Sequence, residues 1–117
     1  MPGLKEITVF LSDIERSIGE IFAFLPERRD FVEFQEDLKT RKAVERNIEI
    51  IGEAMNRILK IDPQFPIAES RRIVDTRNRI IHGYDTVSEE VLWAIVVNYL
   101  PTLDKQVKAL LVKCRGA

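Results

Sequence analysis

The chain holds one histidine, His82, inside the stretch RNRIIHGYDT (77–86). Arg77 stands five residues before it, Asn78 follows that arginine, and Tyr84 lies two residues past the histidine. An imidazole takes and gives protons near neutral pH, which is the working property of a general acid or base. A guanidinium grips phosphate oxygens in a planar fork and stabilises charge that develops on them. The pair points to chemistry at a phosphate. RNA cleavage fits this inventory, because the 2′-hydroxyl is a built-in nucleophile and no metal-activated water is needed. The protein must then supply a base, an acid and a phosphate clamp. One chain has one histidine, whereas a two-fold dimer with this region at its axis would present two histidines and two arginines. Plainer readings stand beside this one. A histidine in a helix's last turn is commonly a dipole partner, an arginine run is commonly an ion-paired solvated face, and R-x4-H-x-Y is short enough to recur by chance.

The elements that must position these residues read as helices nearly throughout. Ile7, Phe10/Leu11, Ile14, Ile18, Ile21/Phe22 and Leu25 keep a three-four spacing until Pro26. Asp30 is placed to start a short turn of helix after it. Val44, Ile48, Ile51, Met55 and Ile58 repeat the rhythm up to the break at Pro63 and Pro66. A third helix is predicted from about Ile67 to His82, with Gly83 as the C-terminal cap that takes a positive φ. Thr86 with Glu89, or Ser88 with Glu89 and Glu90, can start a fourth. Its register runs through Leu92, Ile95/Val96, Tyr99, Leu103, Val107 and Leu110, and Pro101 should kink or divide it. The spacing on straight helices puts Asn78 and His82 on one face and Arg77 well round from them. Gly19 and Gly52 sit mid-helix, where each predicts a close approach of a neighbouring helix. The stretch VLWAIVVNYL (91–100) is apolar nearly all round and so calls for cover on a second side, for which a subunit interface is the natural source.

The fold class expected is all-α: an up-and-down bundle of four main helices, with a short fifth, in a single domain over 1–117. With 117 residues, such a chain buries roughly two thirds of its unfolded surface, enough for one core. Hydrophobic residues at 45% and charged residues at 32% exclude a disordered tail, and no apolar run reaches a membrane-spanning length. Lys5, Glu6 and Asp13 interrupt the N-terminal apolar residues, so no signal peptide is expected; with one cysteine, Cys114, the cytoplasm is the expected compartment. A net charge of −1 rules out a generic polyanion binder, so any RNA contact must come from local patches. Two such patches are Arg71, Arg72, Arg77 and Arg79, opposed by Asp75, and Lys39, Arg41, Lys42 and Arg46. From these, Arg71, Arg72, Arg79, Arg41 and Lys42 are the candidate RNA-binding residues. One His and one Cys argue against a structural zinc site, and no metal or other cofactor is expected. Trp93 and Tyr99 read as packing residues rather than a base-stacking platform.

RNRIIHGY is similar to the R-x4-H-x-Y motif of the HEPN superfamily, in particular its HepT-like toxins. AVERNIEIIGEAMNRIL (43–59) resembles that family's second helix, and TVSEEVLWAIVVNYLPTLDKQV (86–107) its last; together these blocks cover most of the chain in the right order. The resemblance implies a helical bundle that dimerises through the motif region and cleaves RNA without metal. It implies Arg77 and His82 as the catalytic pair, Asn78 as the polar residue that accompanies the arginine, and an RNA substrate such as a tRNA or an mRNA. It further implies a toxin–antitoxin pair with a minimal nucleotidyltransferase of the MntA type, which transfers AMP to Tyr84. A phosphate-bearing adduct there would occupy the clamp and repel RNA. The stretch PIAESRRIVDTRN departs from the family by lacking a Trp before the motif. The alternatives are a non-catalytic HEPN dimer that binds the nucleotidyltransferase or a nucleotide, and a purely structural bundle.

Overall fold

The computed structural model describes residues 3–25, 30–83 and 87–116. Helix α1 spans Leu4–Phe24, α2 Phe31–Glu36, α3 Leu38–Ile61 and α4 Ser70–His82. A last long helix follows in three consecutive parts: α5 Glu89–Ala94, a π-helical turn Ile95–Tyr99, and α6 Leu100–Gly116. There is no strand among the described residues. The predicted all-α, up-and-down bundle is what the chain forms.

α1 and α3 make the centre. Their three-four stripes, Ile7, Leu11, Ile14, Ile18 and Ile21 on one and Val44, Ile48, Ile51, Met55 and Ile58 on the other, are completely shielded from solvent. Burying side chains of this size stabilises by roughly 1.5–3 kcal/mol each, which is why these stripes dictate the pairing. The two helices run antiparallel: Gly3, at the start of α1, abuts Ile61, at the end of α3. On its other side α1 packs against α6, again antiparallel, with Arg115 Nη2 donating to Ser12 Oγ at 3.0 Å. α4 folds back onto α3. The neighbours therefore run α6, α1, α3, α4, in a slab of 45 × 33 × 19 Å. With helices about 10 Å across, such a slab is about two helices deep, so α4, on its edge, has one side against α3 and another uncovered.

The caps follow the sequence. Asp30 accepts from the Val32 and Glu33 amides to start α2. Asp37 closes α2 and starts α3, accepting from both the amide and the hydroxyl of Thr40, which hold its carboxyl below the usual range. Ser88 Oγ accepts from the Val91 amide at 3.2 Å and starts α5; the alternative cap, Thr86, lies outside the described residues. Trp93, packed against Phe31 and Phe34 at ring distances of 6.1 and 5.0 Å, ties α5 to α2.

Three expectations need correction. α4 begins at Ser70, not Ile67. Glu69 takes a left-handed φ of 58°, which breaks helical geometry just before it, while Phe65 and Ile67 are buried as anchors of the turn. Pro101 was expected to kink or divide the last helix, and the helix is divided by a π turn, Ile95–Tyr99, just ahead of it. It lacks an N–H and its ring crowds the preceding turn; the chain answers with the wide π turn immediately before it, where the Leu100 amide bonds to Ile95 O. The buried stripe takes in Leu100 and Leu111 where the sequence pattern marks Tyr99 and Leu110, while Leu92, Val96, Leu103 and Val107 are buried as expected. Gly19 meets nothing within 4 Å of where a Cβ would stand, so no helix crosses there among the described residues.

Candidate active site

Gly52 is where α4 meets α3. A Cβ placed on it would lie 2.3 Å from Arg77 Cβ and 2.9 Å from the Ile73 carbonyl oxygen. Only a residue without a side chain lets the two backbones come this close. That contact fixes the axial position and the rotation of α4 at Arg77 itself. Ile73 and Val74, buried one turn earlier, hold the same helix against the core.

Arg77 is consequently half-buried, with 21% of its side chain exposed. Its Nη1 donates to Asn78 Oδ1 at 2.9 Å, and its Nη2 pairs with Glu53 Oε2 at 2.5 Å. Its Nε is shut off from solvent with no acceptor among the described residues. The other oxygen of Glu53, Oε1, accepts from Arg57 Nε at 2.9 Å. One carboxylate on α3 thus holds two guanidinium groups. The Arg77 fork borders a groove of about 290 Å³ whose wall also carries Asp13, Arg46, Glu49 and Arg57.

His82 is the last residue of α4 and is exposed. The helix stops there because Gly83 adopts φ 65°, its amide bonding to Arg79 O at 3.2 Å. On an α-helix, five residues place the His82 Cα about 140° round and about 7.5 Å along from that of Arg77. The structure therefore brings Arg77 and Asn78 together, fixed against α3, and sets His82 at the open end of the same helix. Tyr84 lies outside the described residues.

The remaining cationic candidates differ in what holds them. Arg71, Arg79 and Lys42 are exposed. Arg72 is exposed and stands 3.8 Å from Glu69, a contact worth at most about 1 kcal/mol. Arg41 is different: it is half-buried and ion-paired to Glu89, which also accepts from Gln35 Nε2 at 3.3 Å. This cluster fastens α5, and with it the chain leaving the motif, to α2 and α3. Trp93 and Tyr99 are packing residues, as the sequence indicates. Tyr99 donates to Ala68 O at 2.8 Å, and burial, with the Glu69 carboxylate adding to it, pushes its phenol well above the usual range.

The face of the last helix left uncovered is narrower than the sequence implies. Leu92, Val96 and Leu100 face the core and Trp93 faces α2, while Val91, Ala94, Ile95 and Asn98 line a groove of about 330 Å³ against Ile73 and Thr76 of α4. Val91, Val97 and Ile81 are exposed apolar side chains on this half of the molecule.

One functional candidate was not legible as such in the sequence. Glu53 sits between buried Gly52 and Ala54, inside IIGEAM, and that is the signal: an acid flanked by core positions needs a partner. Which partner depends on the crossing at Gly52.

Comparison with known proteins finds relatives over most of the chain. The family model described as Ribonuclease HepT-like matches residues 14–110. A protein of Methanocaldococcus jannaschii, provisionally named an RNase, is 33% identical over 116 residues, covering 96% of this chain and 93% of that protein. A protein of Thermococcus cleftensis, provisionally named ribonuclease HepT, is 38% identical over 98 residues, covering 80% and 86%. One from Caldanaerobacter subterraneus, also provisionally named an RNase, is 33% identical over 97 residues, covering 77% and 84%. No solved structure matches the chain. With the family model reaching from α1 into α6 and the Arg77/His82 spacing set on one rigid helix, the chain belongs to the HepT-like ribonuclease family.

Proposed function

We propose that this single-domain chain is a metal-independent endoribonuclease, the toxin of a toxin–antitoxin pair, with its active site completed by a second copy. The observation that carries the reading is the anchored Arg77–Asn78 fork on the helix that ends in exposed His82. In this mechanism Arg77 binds the non-bridging oxygens of the scissile phosphate and stabilises the charge that builds on them. Asn78 steadies the guanidinium. One His82 imidazole takes the proton from the 2′-hydroxyl as its oxygen attacks phosphorus. The bond to the 5′-oxygen breaks, and an imidazolium, from the partner copy, protonates that leaving oxygen. The product is a 2′,3′-cyclic phosphate. Arg71, Arg72 and Arg79 on α4, with Lys42 on α3, follow the flanking phosphates; Arg41, tied to Glu89, contributes charge rather than a direct contact. The groove between α4 and the last helix supports the two-fold contact, because Val91 and Ala94 on its wall are exposed apolar side chains. A minimal nucleotidyltransferase antitoxin of the MntA type silences the site by adenylylating Tyr84, and the setting is the cytoplasm, where a tRNA or an mRNA is the target.

The test is cleavage of RNA in EDTA by protein purified without any partner, with His82→Ala in parallel. Wild type should cut and the variant should not, while circular dichroism stays unchanged because His82 is exposed at a helix end. If neither cuts several RNAs, and intact mass shows Tyr84 unmodified, the chain is instead a non-catalytic HEPN dimer that binds its nucleotidyltransferase or a nucleotide.

A further inference from the structure

We infer that Glu53 is the positioning residue of this site: its carboxylate, reaching from α3, sets the direction in which the Arg77 fork is presented. The inference rests on Arg77 being the phosphate-binding group of the proposed reaction. The two terminal nitrogens of Arg77 meet different anchors: Nη1 donates to Asn78 Oδ1, and Nη2 is ion-paired to Glu53 Oε2, a buried oxygen held by charge and not by a hydrogen bond among the described residues. A guanidinium has five N–H groups, so Nη1 keeps one N–H beyond its bond to Asn78 for a phosphate. The buried Nε–H, meanwhile, has no acceptor among the described residues. A guanidinium free to choose would satisfy that donor. Its orientation is imposed by the two anchors, and Asn78, adjacent on the same helix, cannot by itself fix the fork relative to the bundle.

The other side of Glu53 is equally built. Oε1 takes Arg57 Nε at 2.9 Å, so the carboxylate cannot rotate away from Arg77 without breaking a second bond. Gly52, the residue before it, brings the Arg77 Cβ against the α3 backbone, which is what lets a short Glu side chain reach the fork. Close approach and charge partner come from consecutive residues of one helix. Rate depends steeply on such alignment: a misplacement of about 1 Å costs on the order of a hundredfold.

The test uses the full chain with Glu53→Gln, Arg77→Lys, the double variant, and Lys108→Ala as a control. Two readouts are taken. The first is the rate at which phenylglyoxal modifies Arg77, followed by peptide mass spectrometry. The second is steady-state cleavage of a single-stranded oligoribonucleotide in EDTA. Glu53→Gln should speed Arg77 modification several-fold and lower kcat roughly ten- to a hundredfold, with KM little changed. In the Arg77→Lys background, Glu53→Gln should lower kcat no further, because the fork it orients is gone. Lys108→Ala, which removes an ion pair with Asp104 on α6, should leave kcat near wild type. Unchanged phenylglyoxal reactivity in Glu53→Gln overturns the inference, as does an equal loss of kcat in both backgrounds. If the wild-type chain does not cut RNA, the ribonuclease reading fails, while the phenylglyoxal rates still decide whether Glu53 holds Arg77.

Discussion

Replacing Gly52 by alanine should damage activity far more than stability. The added Cβ would lie 2.3 Å from Arg77 Cβ, whereas carbon atoms in contact rest at about 3.5–4.0 Å. The shortfall is more than about 1 Å, and neither atom can swing aside, since each Cβ is fixed by its backbone. The second neighbour, Ile73 O at 2.9 Å, is backbone too. α4 must therefore shift as a body. Overpacking of this kind costs about 1–3 kcal/mol, and the better helix propensity of alanine offsets about 1 kcal/mol of it. The net loss should be about 0–2 kcal/mol, a modest fall in urea midpoint. Arg77, however, moves by the full displacement and its reach to Glu53 changes with it, so cleavage should fall on the order of a hundredfold. Gly19→Ala is the matched control, because nothing lies within 4 Å of its new methyl. It should stabilise by up to about 1 kcal/mol and leave cleavage unchanged. Urea unfolding by circular dichroism and RNA cleavage in EDTA measure both variants. Gly52→Ala cutting within about twofold of wild type would refute the claim that this contact sets Arg77 to the tolerance chemistry needs.

Two further outcomes follow from the same geometry. Tyr99→Phe removes the bond to Ala68 O and should cost about 1 kcal/mol near neutral pH. Above the ordinary phenol value of 10.0 the unfolded chain releases a proton that buried Tyr99 keeps, so wild-type stability falls as pH climbs past it. The gap between wild type and Tyr99→Phe in urea midpoint should therefore narrow above pH 10, and a gap that stays constant would show that the phenol is not held protonated by the fold. Arg71→Ala and Arg72→Ala, made in the His82→Ala background so that RNA stays intact, should each lower the slope of log affinity against log salt by about 0.7. A slope unaltered by either change removes these arginines from the phosphate path.

How much of this was legible beforehand depended on whether a feature is local. The stripes of α1 and α3 and the cap at Gly83 are written in spacing and in residue type, and the structure has them where the sequence puts them. Pro101 was legible as a disturbance but not as a π turn, because the chain could relieve the missing N–H in several ways and packing of Leu100 and Leu103 selects one. Gly19 and Gly52 look alike in the sequence, each mid-helix among apolar residues. Only Gly52 lies on the crossing with α4, and that is a property of the assembled pair. The same holds for charge. Arg41 and Lys42 are neighbours in one basic cluster, yet Arg41 faces Glu89 across the fold and Lys42 faces solvent. The motif named Arg77, Asn78 and His82 correctly as residues of one helix, but said nothing of Glu53, whose role exists only once α3 and α4 are packed.

In the proposed mechanism, which shares the site between two copies, the packing divides the work. α4 is closed where Arg77 and the Ile73 carbonyl meet Gly52 of α3, and borders a groove on the side that faces Val91, Ala94 and Ile95. The closed side gives the arginine what a phosphate clamp requires, which is rigidity and a fixed charge partner. The histidine needs the opposite, access to two different oxygens on either side of phosphorus, and it stands exposed at the helix terminus beyond the last packed turn. A single chain has no second histidine with which to serve the far oxygen. In that mechanism a second chain would dock at the groove between α4 and the last helix, whose apolar wall is Val91, Ala94 and Ile95, while the Gly52 crossing holds α4 from behind. In the proposed ribonuclease, rigidity would come from within the chain and the second proton-transfer group from outside it.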